Sequence, residues 1–154
     1  MIFVECKPDK LLVRIIADIP RKTIRHAGNK FEVIKRLSKY SQGLGIIDED
    51  PGRNQPIQLK TAKEISTQDI KAADLILLSY KSNLVLIIRP RLEEWILKTA
   101  KELNVNPKDF KLPDDPEQLH SIINYNLDKF ERFLNKIKHR KQKSKRVLTL
   151  TYII

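Results

Sequence analysis

The sequence contains one cysteine, Cys6, among its 154 residues. A single cysteine cannot form a disulfide within the chain, and a zinc site built from several thiolates would need a second chain. We therefore expect Cys6 to pack as a small apolar residue. A P-loop motif, G-x-x-x-x-G-K-S/T, is also missing, so the sequence shows no ATPase domain.

Long apolar runs are lacking too. Every apolar stretch is far shorter than the roughly 20 residues that a membrane-spanning helix needs. The start, MIFVECKPDK, has neither the basic residues nor the long apolar middle of a signal peptide. We expect a cytoplasmic protein that makes no use of a membrane.

Acidic residues are few relative to basic ones. Lysine and arginine total 30 and aspartate and glutamate 19, which gives a formal net charge of +11. The resulting positive field attracts polyanions: nucleic acid, an anionic membrane surface or acidic proteins. With 41% apolar and 32% charged residues, the composition is typical of a folded chain, and its length predicts a single domain over residues 1–154.

The first third of the chain alternates β-prone and amphipathic helical segments. The predicted order is strand, helix, strand, helix, strand: IFVEC, a helix opening at Pro8, KTIRHAG, KFEVIKRLSKY and LGII. This rhythm favours right-handed βαβ units. The fold class that we expect is α/β, with a mainly parallel central sheet flanked by helices.

Beyond the middle of the chain, DLILLSYKSNLVLIIRP predicts two strands joined at a turn, and RLEEWILKTAKEL predicts a helix. The helical spacing of apolar residues over residues 116–140 predicts one long C-terminal helix. The ending, VLTLTYII, alternates in a way typical of a strand. We expect that strand, within the terminal segment 136–154, to pair with a sheet edge or with another subunit, which would make a homodimer.

Acidic residues follow two of the predicted strands. Glu5 closes the first, with Asp9 in the next helical turn, and Asp48 and Asp50 close the third. If these strands are neighbours, the four side chains share one edge of the sheet, where α/β proteins bind ligands. Several ionised carboxylates so close together need a counter-charge, which Mg²⁺ or Mn²⁺ would supply. Glu93, at the border of the apolar face of its helix, is a further candidate ligand.

These residues resemble a known family. The order Glu5, Asp9, then Asp48-Glu49-Asp50 after a third strand is similar to the Toprim fold of topoisomerases, primases and nucleases, and most similar to its OLD-type branch. Leu92-Glu93-Glu94-Trp95 matches a helix that often follows there. The resemblance covers the core, residues 2–103, and implies a Mg²⁺-dependent nuclease with Glu5, Asp48 and Asp50 as catalytic residues. Cys6 and Pro51-Gly52 depart from the family pattern.

Each of these features also has a simpler interpretation. Acids at the end of a strand often only cap helices, and Asp9 suits a helix dipole. His26, before a glycine turn, either contacts phosphate or caps a loop. His120 and His139 show no ligand spacing.

The basic run over residues 136–146 is either a solvated helix end or an arm that binds the nucleic acid backbone. Its candidate contacts are Lys136, Lys138, Arg140, Lys141, Lys143, Lys145 and Arg146.

Three functional hypotheses follow from the sequence. The first is a metal-dependent nuclease or related phosphodiester-acting enzyme. The second is a basic, non-catalytic protein that binds nucleic acid or acts as an adaptor. The third is a partner subunit that uses its charges only for docking.

Overall fold

The computed structural model describes all residues, 1–154. Its centre is a six-stranded mixed sheet in the order β2-β1-β3-β6-β5-β4. The strands are β1 (Ile2–Val4), β2 (Ile24–His26), β3 (Leu44–Asp48), β4 (Lys63–Glu64), β5 (Leu75–Tyr80) and β6 (Asn83–Ile88). The pairs β1/β2, β1/β3 and β3/β6 are parallel, whereas β5 pairs antiparallel with both β4 and β6. The expected α/β class and mainly parallel sheet are confirmed.

Seven α-helices surround the sheet. They are α1 (Lys7–Ile16), α2 (Lys30–Leu37), α3 (Gln68–Ala72), α4 (Leu92–Glu102), α5 (Pro116–Ile122), α6 (Leu127–His139) and α7 (Lys145–Ile153). None of them is both long and apolar enough to cross a bilayer.

Side-chain alternation along the strands divides the core into two clusters. Ile2 and Val4 face a large cluster with α1, α4, α6 and α7, whereas Phe3 faces a small cluster with α2. Gly45 on β3 allows α2 to approach closely, because a Cβ there would lie 3.0 Å from Leu37 and 3.1 Å from Val33. The sheet is therefore covered by helices on both faces.

The expected terminal strand is wrong, because residues 145–153 form α7. Ser144 caps this helix by accepting a hydrogen bond from the amide of Val147 at 3.2 Å. Val147 and Leu150, three residues apart, are buried against the large cluster. Packing of a helical face thus overrides the β-propensity of VLTLTYII. A homodimer through an exposed terminal strand has no basis in this fold.

The single helix expected over residues 116–140 is also wrong. A 3₁₀ turn over Ile123–Tyr125 separates α5 from α6. The side chain of Asn126 donates to the carbonyl of Ile122 at 2.8 Å, and its own φ of −132° is not helical. Asparagine side chains compete with helical backbone bonding in this way. The break lets α5 pack on α4 while α6 packs on α1.

Candidate active site

The parallel strands bring the acidic residues of the N-terminal region to one edge of the sheet. β1 and β3 are direct neighbours, with Val4 opposite Ile46. Glu5 follows β1, and Asp48 is the last residue of β3, so both lie at the carboxyl edge. The sequence-based condition that these strands be adjacent is met.

Glu5 and Asp48 are in direct contact. The amide of Asp48 donates to Glu5 Oε2 at 2.6 Å. Asp48 Oδ1 in turn accepts from the amide of Leu92, the first residue of α4, at 3.1 Å. The carboxylate of Asp48 therefore satisfies an otherwise free amide of the helix and is held at its positive end.

Asp9 lies beneath the surface in the first turn of α1, with only 4% of its area exposed. Its Oδ2 accepts from the amide of Cys6 at 2.9 Å and from the thiol of Cys6 at 3.0 Å. The side chain of Cys6 in turn contacts the backbone amide of Asp9. The two reciprocal contacts form a capping box at the start of α1. The simpler interpretation of Asp9, as a first-turn acid, thus describes its contacts.

Three carboxyl groups of the cluster hold their protons more tightly than usual. Burial raises the pKa of Glu5 to about 7, although the hydrogen bond from Asp48 opposes the rise. Burial raises the pKa of Asp9 to about 6, and the charge of Glu93 adds to it. Burial also raises the pKa of Asp48 well above its ordinary value, helped by the charges of Asp9 and Glu5. Each carboxylate thus increases the cost of ionising the others.

Positive charge reaches this cluster through Lys30, the first residue of α2. Its Nζ lies 3.0 Å from Asp50 Oδ2 and donates to the carbonyls of Asp48 at 2.8 Å and Glu49 at 3.2 Å. Lys30 is buried, with 5% of its area exposed. Glu5, Asp9 and Asp48 have no ion-pair partner, so one lysine leaves most of the negative charge uncompensated.

The loop after β3 does not continue as extended chain. Asp50 has a φ of 48°, in the left-handed region, so its side chain is directed by a turn rather than by strand alternation. Glu49 pairs with Arg89 at 2.7 Å, outside the cluster. Asp50 nevertheless lines the same cleft as Glu5.

That cleft has a volume of about 500 Å³ and combines acidic, basic and aromatic side chains. Its lining residues are Glu5, Asn29, Lys30, Phe31, Asp50, Arg53, Asn54, Arg91 and His120. Arg91 is held by Glu94 at 2.5 Å and by Glu117 at 2.6 Å. A cleft of this composition can hold an anion at its rim while presenting carboxylates within.

Glu93 faces this region from α4 and is buried, with 5% of its area exposed. Its Oε1 lies 2.9 Å from Nδ1 of His120 on α5. Its Oε2 is buried and has no hydrogen-bond partner. The helical spacing predicted that Glu93 lies at the border of the apolar face of its helix. It did not predict the contact with His120.

Several residues of the cleft were not expected from the sequence. Lys30 and Arg53 come from segments without a recognisable motif. His120 has no ligand spacing, because its partner is 27 residues away in the chain. The acidic cluster indicated that basic residues would lie nearby. It did not indicate which basic residues, distant in the chain, would pack against it. His26 is exposed at the end of β2 and does not line the cleft.

The basic run separates into structural and exposed residues. Arg146 is buried at 5% exposure, and its guanidinium stacks 4.9 Å from the ring centroid of Trp95. It also donates to Thr99 Oγ1 at 3.0 Å and to Asp74. Arg146 is thus unavailable to nucleic acid, and its expected role as a backbone contact is wrong.

Two further members of the run are engaged with the protein. Arg140 donates to the carbonyls of Leu103 at 2.8 Å and Asn104 at 3.0 Å, at the end of α4. Lys138 pairs with Asp18. The remaining four, Lys136, Lys141, Lys143 and Lys145, form no ion pair and are exposed or half-buried. They are the part of the run that is free to contact a polyanion.

No group of three or more histidine, cysteine, aspartate or glutamate side chains stands in a geometry that would hold a metal ion. Comparison of the chain with family models, curated proteins and solved structures finds no match.

Proposed function

We propose that the chain is a Mg²⁺- or Mn²⁺-dependent nuclease, or a related phosphodiester-acting enzyme, with a Toprim-like core. The observation that carries this proposal is the contact of Glu5 with Asp48 at the carboxyl edge of neighbouring parallel strands, with Asp50 lining the same cleft as Glu5. The resemblance of the acidic motifs to the Toprim family points to the same edge. Nucleic acid is the proposed substrate because the net charge of +11 favours a polyanion.

The chemistry of the donor set fits a hard divalent cation. Mg²⁺ prefers carboxylate oxygens and retains several waters. Glu5 Oε1 and Asp48 Oδ2 accept no hydrogen bond within the protein, because the amides of Asp48 and Leu92 engage only the other oxygen of each group. Burial raises the pKa of Glu5 and of Asp48 and so destabilises their ionised forms, which a bound cation would stabilise.

The geometry limits which residues would act as ligands. Glu5, Asp48 and Asp50 would hold the ion, with the side chain of Asp50 released from Lys30. Asp9 and Glu93, expected as further ligands, are almost fully buried and do not line the cleft, so the proposal leaves them out. When bound, the ion would stabilise the negative charge that develops on the phosphoryl oxygens.

The protein's own groups have separate tasks in this proposal. Arg53 and Arg91 on the cleft lining would bind the phosphate backbone, and the guanidinium of Arg91 is already oriented by Glu94 and Glu117. Glu5, with a pKa of about 7, is able to hold or release a proton near neutral pH.

The test is a cleavage assay on single- and double-stranded DNA and RNA, with Mg²⁺, with Mn²⁺ and with a chelator. We expect metal-dependent cleavage that Asp48→Asn lowers by at least about 10³-fold, since both charge and ligand are lost. Asp109→Asn, at an exposed acid outside the cleft, is the matched control and should cleave normally. In parallel, Mg²⁺ should raise the melting temperature of the wild type but not of Asp48→Asn. Cleavage that survives in Asp48→Asn would contradict the proposal.

A second candidate is a non-catalytic protein that binds nucleic acid or serves as an adaptor. Two observations favour it. No group of side chains stands in a geometry that would hold a metal ion, and four lysines of the C-terminal basic run are exposed or half-buried. Binding to nucleic acid without cleavage, unchanged by Asp48→Asn, would support it. If nucleic acid does not bind even at low salt, a docking subunit for an acidic partner is the remaining hypothesis.

A further inference from the structure

A carboxylate–histidine pair joins α4 to α5 at the mouth of the cleft. Glu93 is almost fully buried, and its Oε2 is the one buried side-chain nitrogen or oxygen atom of the protein without a hydrogen-bond partner. Its Oε1 lies 2.9 Å from His120 Nδ1. His120 itself is 58% exposed at its side chain and lines the cleft with Glu5 and Asp50.

The contact determines where the hydrogen of the imidazole lies. When Glu93 is ionised, its carboxylate only accepts hydrogen bonds, and Nδ1 of a neutral His120 then carries the hydrogen. Nε2 then has a free lone pair. Because Nδ1 contacts the buried Glu93 and the exposed ring lines the cleft, Nε2 is the ring nitrogen left for a molecule bound in that cleft.

We infer that His120 is the base of the cleft, which accepts a proton from the attacking water, and that Glu93 is the positioning residue that fixes its ring and tautomer. This inference rests on the proposed function, since it concerns hydrolysis at the same site. It adds a residue from α5, outside the segment 2–103 that carries the family resemblance.

The step is a simple hydrolysis. The water oxygen forms a new bond to phosphorus, while the bond from phosphorus to the leaving sugar oxygen breaks and that oxygen departs with the bonding electron pair. One water proton passes to His120 Nε2, and the leaving oxygen takes a proton from solvent. His120 then releases its proton to solvent, so one water is consumed for each phosphodiester cleaved.

The orphan oxygen of Glu93 supports a positioning role. A buried carboxylate with only one hydrogen-bond donor lowers the stability of the folded state. Such a group is consistent with a functional role for its charge. Here that charge stabilises the imidazolium that forms when Nε2 takes the proton, as in other histidine–carboxylate pairs. Loss of the carboxylate should therefore affect the base even though Glu93 does not touch substrate.

The first test measures the tautomer directly, without any activity. In nitrogen-15 NMR spectra of the labelled full chain at pH 8, the signals of His120 should show a hydrogen on Nδ1 and none on Nε2. In Glu93→Gln the neutral ring should shift toward the Nε2–H form. His120→Ala identifies the signals, and His139, exposed at the end of α6, is the internal reference. A wild-type His120 in the Nε2–H form would overturn the inference.

The second test is kinetic. His120→Ala should lower the cleavage rate by about 10²- to 10⁴-fold, and added imidazole should restore part of it. Glu93→Gln should lower the rate by about 10- to 100-fold. His139→Ala should cleave like the wild type. His120→Ala leaves the buried Glu93 carboxylate without a hydrogen-bond donor and should lower the melting temperature. The rates are therefore compared at a temperature where the variant is folded, and the recovery of activity with imidazole separates a catalytic loss from unfolding.

The outcomes distinguish the inference from the proposed function. Cleavage that is lost in Asp48→Asn but unaffected in His120→Ala would overturn the role of His120 and leave the nuclease standing. A wild type that cleaves nothing would overturn both. A loss in His120→Ala that imidazole does not relieve, with the wrong tautomer, would leave His120 as a structural residue only.

Discussion

At the residue scale, the carboxyl groups of Glu5, Asp9 and Asp48 have raised pKa values. Glu5 has a usual pKa of 4.5 and a folded-state pKa of about 7, with burial as the main cause. Between those two pH values the folded chain keeps a proton that the unfolded chain has released. The free energy of unfolding therefore falls as pH rises through this window, and the loss is complete above about pH 7.

Replacement of Glu5 by glutamine should remove that cost. Glutamine cannot ionise, yet its carbonyl can still accept from the Asp48 amide. We expect Glu5→Gln to raise the free energy of unfolding at pH 8 by about 1–3 kcal/mol, and to change it little at pH 4, where both states of the wild type are largely protonated. Urea unfolding at pH 4, 6 and 8 measures this. Glu49→Gln, at a paired and partly exposed carboxylate, should instead lower the free energy of unfolding by no more than about 1 kcal/mol. If Glu5→Gln raised the free energy of unfolding equally at all three pH values, ionisation of Glu5 would not be the cause.

At the scale of elements, α7 shows how a terminal segment is held. Arg146, in its first turn, stacks on Trp95 and donates to Thr99 and Asp74. These contacts attach α7 to α4 and to the turn before β5. A basic residue that looked like a phosphate contact is thus part of the core.

Truncation of this residue should weaken the whole fold. We expect Arg146→Ala to lower the free energy of unfolding by about 2–4 kcal/mol, because the ring of Trp95 loses its stacking partner, Thr99 loses a donor and Asp74 keeps only its ion pair with Lys98. Arg146→Lys should recover little of this, since an ammonium cannot stack or serve three acceptors in one plane. Lys145→Ala, at the exposed neighbour, should stay within about 0.5 kcal/mol of the wild type. Denaturant titration of the three variants gives the comparison, and a stable Arg146→Ala would refute this role.

At the scale of the whole molecule, acids and bases are separated along the fold. The acidic cluster lies at the carboxyl edge of β1 and β3, whereas the unpaired lysines of the basic run lie between the end of α6 and the start of α7. If nucleic acid binds, these lysines contribute through charge, and binding should weaken steeply with salt.

The quadruple change of Lys136, Lys141, Lys143 and Lys145 to glutamine tests that contribution. For a single-stranded oligonucleotide, we expect the slope of log affinity against log salt to shrink by about 0.7 for each phosphate that the variant no longer neutralises. The control variant changes Lys22, Arg25, Lys35 and Lys39 to glutamine, which alters net charge equally on the β2 and α2 side. Fluorescence anisotropy over a salt series reports both slopes. Equal effects of the two variants would mean that the basic run is an ordinary solvated surface.

The local patterns of the chain were sufficient for most of the elements. Apolar spacing predicted α1, α2 and α4, and the alternation of strand and helix predicted a mainly parallel sheet, while the pairing of β1 with β3 was left as a condition. The pattern failed at the C-terminus, where Asn126 breaks a helix and a β-prone ending becomes α7. In both places a side-chain hydrogen bond or a buried face, neither visible in local spacing, decided the outcome.

The sequence alone therefore determined the α/β class and the positions of Glu5 and Asp48 at the ends of their strands, because both follow from short-range patterns, whereas the pairing of β1 with β3 that brings them together is a property of the sheet. Only the tertiary structure decided that Lys30 neutralises Asp50, that His120 bonds Glu93, and that Arg146 belongs to the core. These are interactions between residues 20 to 72 positions apart in the chain. Such interactions depend on how helices pack in three dimensions, and no local spacing encodes them.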